Sequence, residues 1–270
     1  MTITFDTIGY LGDKLCLLSA SREDARRNPQ DEIYIPHLFD VIPLYDDGLV
    51  KPGSVGKQVM VSAKHREKVF SNRLNYLGTF LREMVPDIRF PMNLDLPKFS
   101  VEDRIPVIQP RSTYAENPPT EYVQGLVNEF RRRTQQVIYA VGAASTPRDL
   151  NGVDYSLLCD SVPEFLRNVA RASIVLTPRS AGAHMAAGYG IPTFAWVPDD
   201  GENWHLDYPG WNRHLHNFEL GAEDAIDSLR FFVDTVGRFK FHAGRTRFRQ
   251  GSRIVWSPNE GPSEKVSNPQ

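Results

Sequence analysis

Residues 172–198 read ASIVLTPRSAGAHMAAGYGIPTFAWVP, and the fold turns on how they are parsed. The apolar run that ends at Pro178 has the composition of a buried strand. A helix built from Gly and Ala follows, opening near Ser180 or Ala181, and PTFAWVP is a second strand entered at once. The first turn of such a helix presents unpaired backbone N–H groups at the positive end of the peptide dipoles. Side chains as small as those of Ala181 and Gly182 let a ligand reach that backbone. A diphosphate is held in this way at the carboxyl end of a parallel sheet. Ser180 adds a hydroxyl donor and Arg179 a charged fork. The same residues also fit a helix packed tightly on its sheet, with Ser180 as an ordinary N-cap. Taken alone, His184 reads as a structural, hydrogen-bonding histidine.

Outward from this segment, strands and helices alternate along the 270 residues. Strands are expected at Ile3–Phe5, in DEIYIP (31–36) and in QVMVSA (58–63), with VIPLY (41–45) as a candidate third strand of the first half. Helices are expected over Asp13–Arg27 and Arg66–Met84, the latter with a one-faced apolar spacing. The proline-rich stretch from Pro86 to Pro106 reads as a link. Beyond it come strands in PVIQP (106–110) and QVIYAVG (136–142), and helices in residues 120–133, 164–172 and 224–236. This alternation is the pattern of α/β architecture with parallel sheets and helices on both faces. It divides into two Rossmann-like domains, residues 1–100 and 101–236, followed by a basic tail, 237–270, whose last dozen residues read as disordered.

Composition narrows the function classes. With 31 basic and 33 acidic side chains, the chain lacks the net positive charge of a dedicated nucleic-acid binder. No apolar run reaches the roughly 20 residues of a membrane span. The N-terminus carries no basic, cleavable leader pattern, and Cys16 and Cys159 stand far apart in apolar surroundings, so a cytoplasmic protein is expected.

Two further segments carry candidate chemistry. In GYLGDKL (9–15), Gly12 and Asp13 open a helix; an acid there either caps the helix or offers a carboxylate that takes a proton from an acceptor hydroxyl. In PDDGENWHLDYPGWNRH (198–214), Asp199, Asp200, Glu202, Asn203, Trp204 and His205 combine groups that bind hydroxyls with rings that stack on sugars or bases. A solvated loop anchored by tryptophan is the plainer reading, and no tight ligand spacing points to a metal. The basic run Arg238–Arg253, interleaved with phenylalanines, suits contact with a nucleic acid or anionic lipid, or an edge hairpin guarded by charge.

The second half resembles the donor-binding domain of family 9 glycosyltransferases, the heptosyltransferase-like group with the GT-B fold. The resemblance rests on Ser180, His184, Ala186, Ala187 and the run Gly190-Ile191-Pro192-Thr193, and it covers roughly residues 105–215. GYLGDK is similar to the opening Gly-Asp motif of that family, whose Asp is the proposed catalytic base; the resemblance therefore gives that role to Asp13. Where the family has Asp and Gly around the serine, this chain has Arg179 and Ala181, and Arg111 is the nearest counterpart of the family's basic residue after the first donor-domain strand. The implied reaction is transfer of a sugar from a nucleotide-sugar to an acceptor hydroxyl, without metal and with no cofactor besides the nucleotide-sugar co-substrate. Helix N-termini and basic side chains would hold the leaving diphosphate. The acceptor stays open among a glycan, a metabolite, a protein and a modified nucleic acid. A nucleotide-sugar epimerase or hydrolase on the same scaffold, or a non-catalytic protein that holds nucleic acid through its tail, remain the alternatives.

Overall fold

The computed structural model describes residues 1–61, 76–84, 92–113, 116–143, 150–200, 203–240, 246–249 and 253–256. The first half begins with β1 (Thr2–Asp6), α1 (Leu11–Arg27), β2 (Glu32–Ile35), β3 (Val50–Pro52), β4 (Lys57–Met60) and α2 (Tyr76–Met84). All strand pairs are parallel, and the spatial order is β3-β2-β1-β4. The expected strand at 41–45 is instead a 3-10 turn, Ile42–Leu44. Pro43 brings no N–H to a strand ladder but suits the first turn of a helix. The third strand lies a few residues later, at β3.

Period-two alternation sends Ile3 and Phe5 to one face of the sheet and Thr4 to the other. On the Phe5 side lies α1, and α2 packs along it; Phe5, Leu15, Leu18, Leu77, Phe80 and Leu81 share one core. On the Thr4 side the connection from β3 to β4 crosses the sheet in only four residues, 53–56. The buried Thr4 hydroxyl fixes this segment, donating to the Val55 carbonyl at 2.7 Å and accepting from the Val55 amide at 2.8 Å. A peptide segment thus does, among the described residues, what a crossover helix would do on that face.

The second half comprises β5 (Ile105–Ile108), α3 (Thr120–Thr134), β6 (Ile138–Ala143), β7 (Val153–Cys159), α4 (Val162–Ala170), β8 (Ala172–Pro178), α5 (Ala181–Gly188), β9 (Thr193–Val197), β10 (Arg213–Asn217) and α6 (Ala222–Lys240). Its sheet is parallel throughout, in the order β10-β9-β8-β5-β6-β7. Counted from β5 this is 3-2-1-4-5-6, the doubly wound order. The first sheet repeats its first four members. Side chains alternate between two cores as a sheet covered on both faces requires. Ile108, Ala140, Leu176, Phe194 and Trp196 meet α3 and α6. Val107, Val141, Val175, Ala195 and Val197 face the other way, toward α4 and α5.

That second core continues without a break into the first half. Helix α1 is therefore covered on more than one side: Leu15, Cys16, Leu17 and Leu18 are consecutive and all buried, as befits a helix between two layers. The link at 92–104 is pinned to the same helix. Arg22 is buried, donating to Asp95 at 2.8 Å and to both oxygens of Asp47 at 2.9 and 2.7 Å, and its guanidinium lies 3.6 Å from the centroid of the Tyr45 ring.

Helix α6 runs past the expected end at 236 as far as Lys240. Part of the basic run beyond it forms an antiparallel hairpin, β11 (Thr246–Arg249) with β12 (Arg253–Trp256). Residues 259–270, expected to be disordered, lie outside the described residues. No helix among the described residues is long and apolar enough to cross a membrane.

Candidate functional site

In a doubly wound sheet the chain leaves its first and fourth strands toward opposite edges, which opens a crevice at their carboxyl ends. In the second sheet those strands are β5 and β8. Gln109 directly follows β5, while Thr177, Pro178 and Ser180 end β8 and start α5. Ser180 Oγ donates to Gln109 Oε1 at 2.8 Å, and Thr177 Oγ1 lies 3.3 Å from the same oxygen. Gln109 Nε2 in turn donates to the Arg111 carbonyl at 3.1 Å. Ser180 is the N-cap residue by position, but its side chain makes no capping bond. The plain N-cap reading therefore fails, and a hydroxyl–amide network spans the crevice instead.

The amides that open α5 are left for something else. Ala183 N and His184 N bond back to the Ser180 carbonyl at 3.0 and 3.3 Å. For Ala181 and Gly182, at the first two helical positions, no described residue supplies an acceptor. Gly182 leaves room for this network, since a Cβ would stand 2.2 Å from Gln109 Oε1 and displace it.

The start of α1 meets this turn. A Cβ on Gly12 would lie 3.1 Å from His184 Cδ2 and 3.9 Å from the Cα of Ala181. Two helix N-termini, each following the carboxyl end of a central strand, thus converge. Asp13 stands in the same turn as Gly12, and its Oδ2 accepts the Tyr10 amide at 2.7 Å, so the capping role is realised.

Beneath the junction, His184 is buried. Its Nδ1 lies 2.6 Å from Tyr208 Oη, and Cys16 Sγ lies 3.8 Å from the same oxygen. Burial, with a smaller push from the Arg179 charge, lowers the His184 pKa to about 4, so the ring is neutral at physiological pH. Burial raises the Cys16 thiol well above its ordinary range. His184 and Cys16 are thus uncharged, which is how such groups survive between packed layers.

The remaining candidates divide. Arg179 reaches the crevice but forms a two-pronged ion pair with Asp200, one arm at 2.6 Å; its charge is partly spent within the protein. Arg111 turns to Thr120 Oγ1, at 2.8 Å, on the start of α3. Asp199 is exposed. Asn203 and Trp204 open the 3-10 turn Asn203–Leu206, in which His205 is half-buried. Glu202 lies outside the described residues. The rest of this loop is held by structure: Tyr208 and Trp211 are buried, and Trp211 Nε1 donates to the Ile191 carbonyl at 2.8 Å. No group of three or more His, Cys, Asp and Glu side chains among the described residues is arranged to hold a metal ion.

Sequence reasoning passed over Gln109. Its signal was positional: it is the first residue after the first strand of its sheet, where the crevice must open once β8 is recognised as the fourth.

This fold is shared with solved proteins. The fold is that of the heptosyltransferases. The dodecameric heptosyltransferase TibC of enterotoxigenic E. coli, solved with ADP-D-β-D-heptose, superposes with a TM-score of 0.61 at 10% identity, over 87% of this chain and 76% of that one. E. coli heptosyltransferase WaaC, solved with ADP-2-deoxy-2-fluoro heptose, gives 0.55 at 10% identity over 87% of this chain and 99% of its own. A family 9 glycosyl transferase from Veillonella parvula gives 0.53 at 11% identity, over 87% and 96%. No protein-family profile and no curated protein sequence matches the chain. The GT-B heptosyltransferase fold is therefore shared in three dimensions at an identity where sequence carries almost none of it.

Proposed function

We propose that the chain is a glycosyltransferase that moves a sugar from a nucleotide-sugar to an acceptor hydroxyl. The observation that carries this reading is the meeting of the α1 and α5 N-termini at Gly12 and Ala181, with the Ala181 and Gly182 amides left without a described protein acceptor. A diphosphate matches that cradle in charge and in hydrogen-bonding sense. As the bond to the sugar breaks, negative charge grows on the leaving diphosphate, and fixed amide dipoles stabilise it without reorganising. In this reading they take the part a metal ion plays elsewhere. Ser180, positioned by Gln109, adds a hydroxyl donor, and neutral His184 adds a ring edge beside Gly12. Arg179 and Asp200 form a charge pair at the rim, with Asp199, Asn203, Trp204 and His205 on the segment that would face the sugar or the base. The family resemblance gives the acceptor proton to Asp13, the residue after Gly12. The protein neighbours solved with ADP-heptose compounds favour an ADP-linked donor.

The test is a melting-temperature panel against ADP-, UDP-, GDP-, CMP- and dTDP-linked sugars. A donor present at 100 times its Kd stabilises the fold by about 2.7 kcal/mol, and one member of the panel is expected to stand out. A panel in which none raises the melting temperature refutes the donor site.

A further inference from the structure

Arg179 directly precedes the cradle, yet its charge is held by another part of the protein. Its amide bonds to the Trp196 carbonyl at 3.1 Å, so the ladder between β8 and β9 runs through it. Alternation along β8 then sets Arg179 on the side of Val175 and Thr177, toward α5. Thr177 marks that side, since its Oγ1 would lie 3.3 Å from a Cβ on Gly182. The charge reaches the junction of the two helix starts. After burial, it is the Arg179 guanidinium that disfavours a proton on His184, and His184 is the ring against Gly12. Asp200 follows the end of β9 by three residues. Each of its oxygens takes one arm of the fork, Nη1 to Oδ1 at 2.6 Å and Nη2 to Oδ2. The two side chains are unequally placed: that of Arg179 is 13% accessible and that of Asp200 36%. A largely covered cation is thus closed off by an acid that water can reach.

We propose that Asp200 is a latch on the donor site: it occupies Arg179 until a donor arrives, and then yields the guanidinium to the diphosphate. The proposal rests on the glycosyltransferase reading and adds to it a competitor built into the chain. Carboxylate and phosphate oxygens ask the same planar, two-pronged contact of a guanidinium, so one replaces the other without rebuilding the fork. A diphosphate seated on the Ala181 and Gly182 amides brings negative charge close to Arg179. With Asp200 still closed, two anionic groups crowd one cation; with Asp200 turned to water, the cation meets the larger charge. Opening costs little, because the released carboxylate stands where solvent already reaches it. The latch also confers selectivity. An unpaired Arg179 would attract any small anion, whereas the paired one responds to a ligand that engages the α5 amides at the same time. Asp200 lies on the segment that carries Asp199, Asn203 and Trp204, so its release loosens that segment as the donor enters.

Inorganic pyrophosphate carries the group common to the diphosphate-linked donors, so it serves as the probe whatever the base and sugar are. Its Kd is measured by titration calorimetry at one fixed ionic strength for the unchanged chain, Asp200→Asn, Arg179→Gln and the double variant. Melting curves without ligand establish that each is folded. Asp200→Asn is expected to tighten binding by about fivefold, the strength of a good ion pair at a partly exposed site. Arg179→Gln is expected to weaken it by about tenfold, through loss of a charged donor. The decisive comparison is the double variant against Arg179→Gln. With no cation to release, Asp200→Asn should there gain at most about twofold, from the removal of one screened negative charge. An equal gain with Arg179 and with Gln at that position overturns the latch, because the acid then acts by its charge alone. A Kd that Asp200→Asn leaves unchanged or makes weaker also overturns it, since Asp200 would then hold Arg179 in place for the ligand. Failure of the glycosyltransferase reading looks different: pyrophosphate binds none of the four chains, no nucleotide-sugar raises any melting temperature, and the latch falls with the cradle.

Discussion

His184 shows how much one buried side chain can commit the protein to. An unfolded histidine titrates near 6.5, whereas the folded ring holds no proton until about pH 4. Between those values the unfolded chain binds more protons, so stability contributed by this group is complete above pH 6.5 and is lost as pH falls toward 4. The loss amounts to at most about 3 kcal/mol. Urea midpoints measured at pH 7 and pH 4.5 should therefore draw closer together in His184→Gln than in the unchanged chain. Gly182 is the second residue with a sharp expectation. Its substitution by alanine puts a carbon 2.2 Å from Gln109 Oε1 and forces that amide off Ser180. Losing such a bond costs about 1 kcal/mol of stability. Donor affinity should fall as well, because Ser180 loses the partner that positions its hydroxyl; titration calorimetry on the folded variant reads this directly.

Among the elements, α1 carries the largest load. It supports the first sheet, starts the cradle and holds the interdomain link through Arg22. Replacing Arg22 by methionine keeps the buried stem but strands Asp47 and leaves Asp95 to its second partner, Arg26. Both carboxylates are partly exposed, with side chains 43% and 33% accessible, so water relieves some of the cost. A loss of about 2 kcal/mol is expected, somewhat less than for a fully buried pair. Lysine should recover only part of it, since an ammonium cannot bond two carboxylates through a planar fork. Urea unfolding of the two variants checks the order. The elements that escaped sequence reading are instructive too. Both β7 and β10 are edge strands of the second sheet, and VDYSLLC and RHLHN mix polar with apolar residues as edges do. The interior strands β8 and β9 carry the apolar runs IVL and FAWV and announced themselves.

For the whole molecule, the shared core is the feature that matters. Phe5 and Leu77 from the first half and Val175, Met185 and Tyr208 from the second belong to one buried cluster, and the Cys16–Tyr208–His184 contacts cross the same boundary. Two domains joined this way should unfold together. Scanning calorimetry is expected to show one transition with equal calorimetric and van't Hoff enthalpies; two resolved transitions would mean the halves are stabilised separately. A fragment ending near residue 100 would expose the faces of α1 and α2 that pack on the second half, and it should fail to give a cooperative melt.

Local pattern was enough for the alternation of strands and helices, for the strand–helix–strand unit at 172–198 and for the amide-lined turn at Ser180, because each depends on residues adjacent in the chain. It was enough, through resemblance, to name the fold of the second half. What tertiary structure alone decided is which turns face one another. Gly12 against Ala181, Gln109 on Ser180 and Asp200 clamping Arg179 all join residues that strand order, not sequence distance, brings together. Parallel sheets are assembled from long-range crossovers, so the chemistry at their carboxyl ends comes into being only when the strands have found their neighbours.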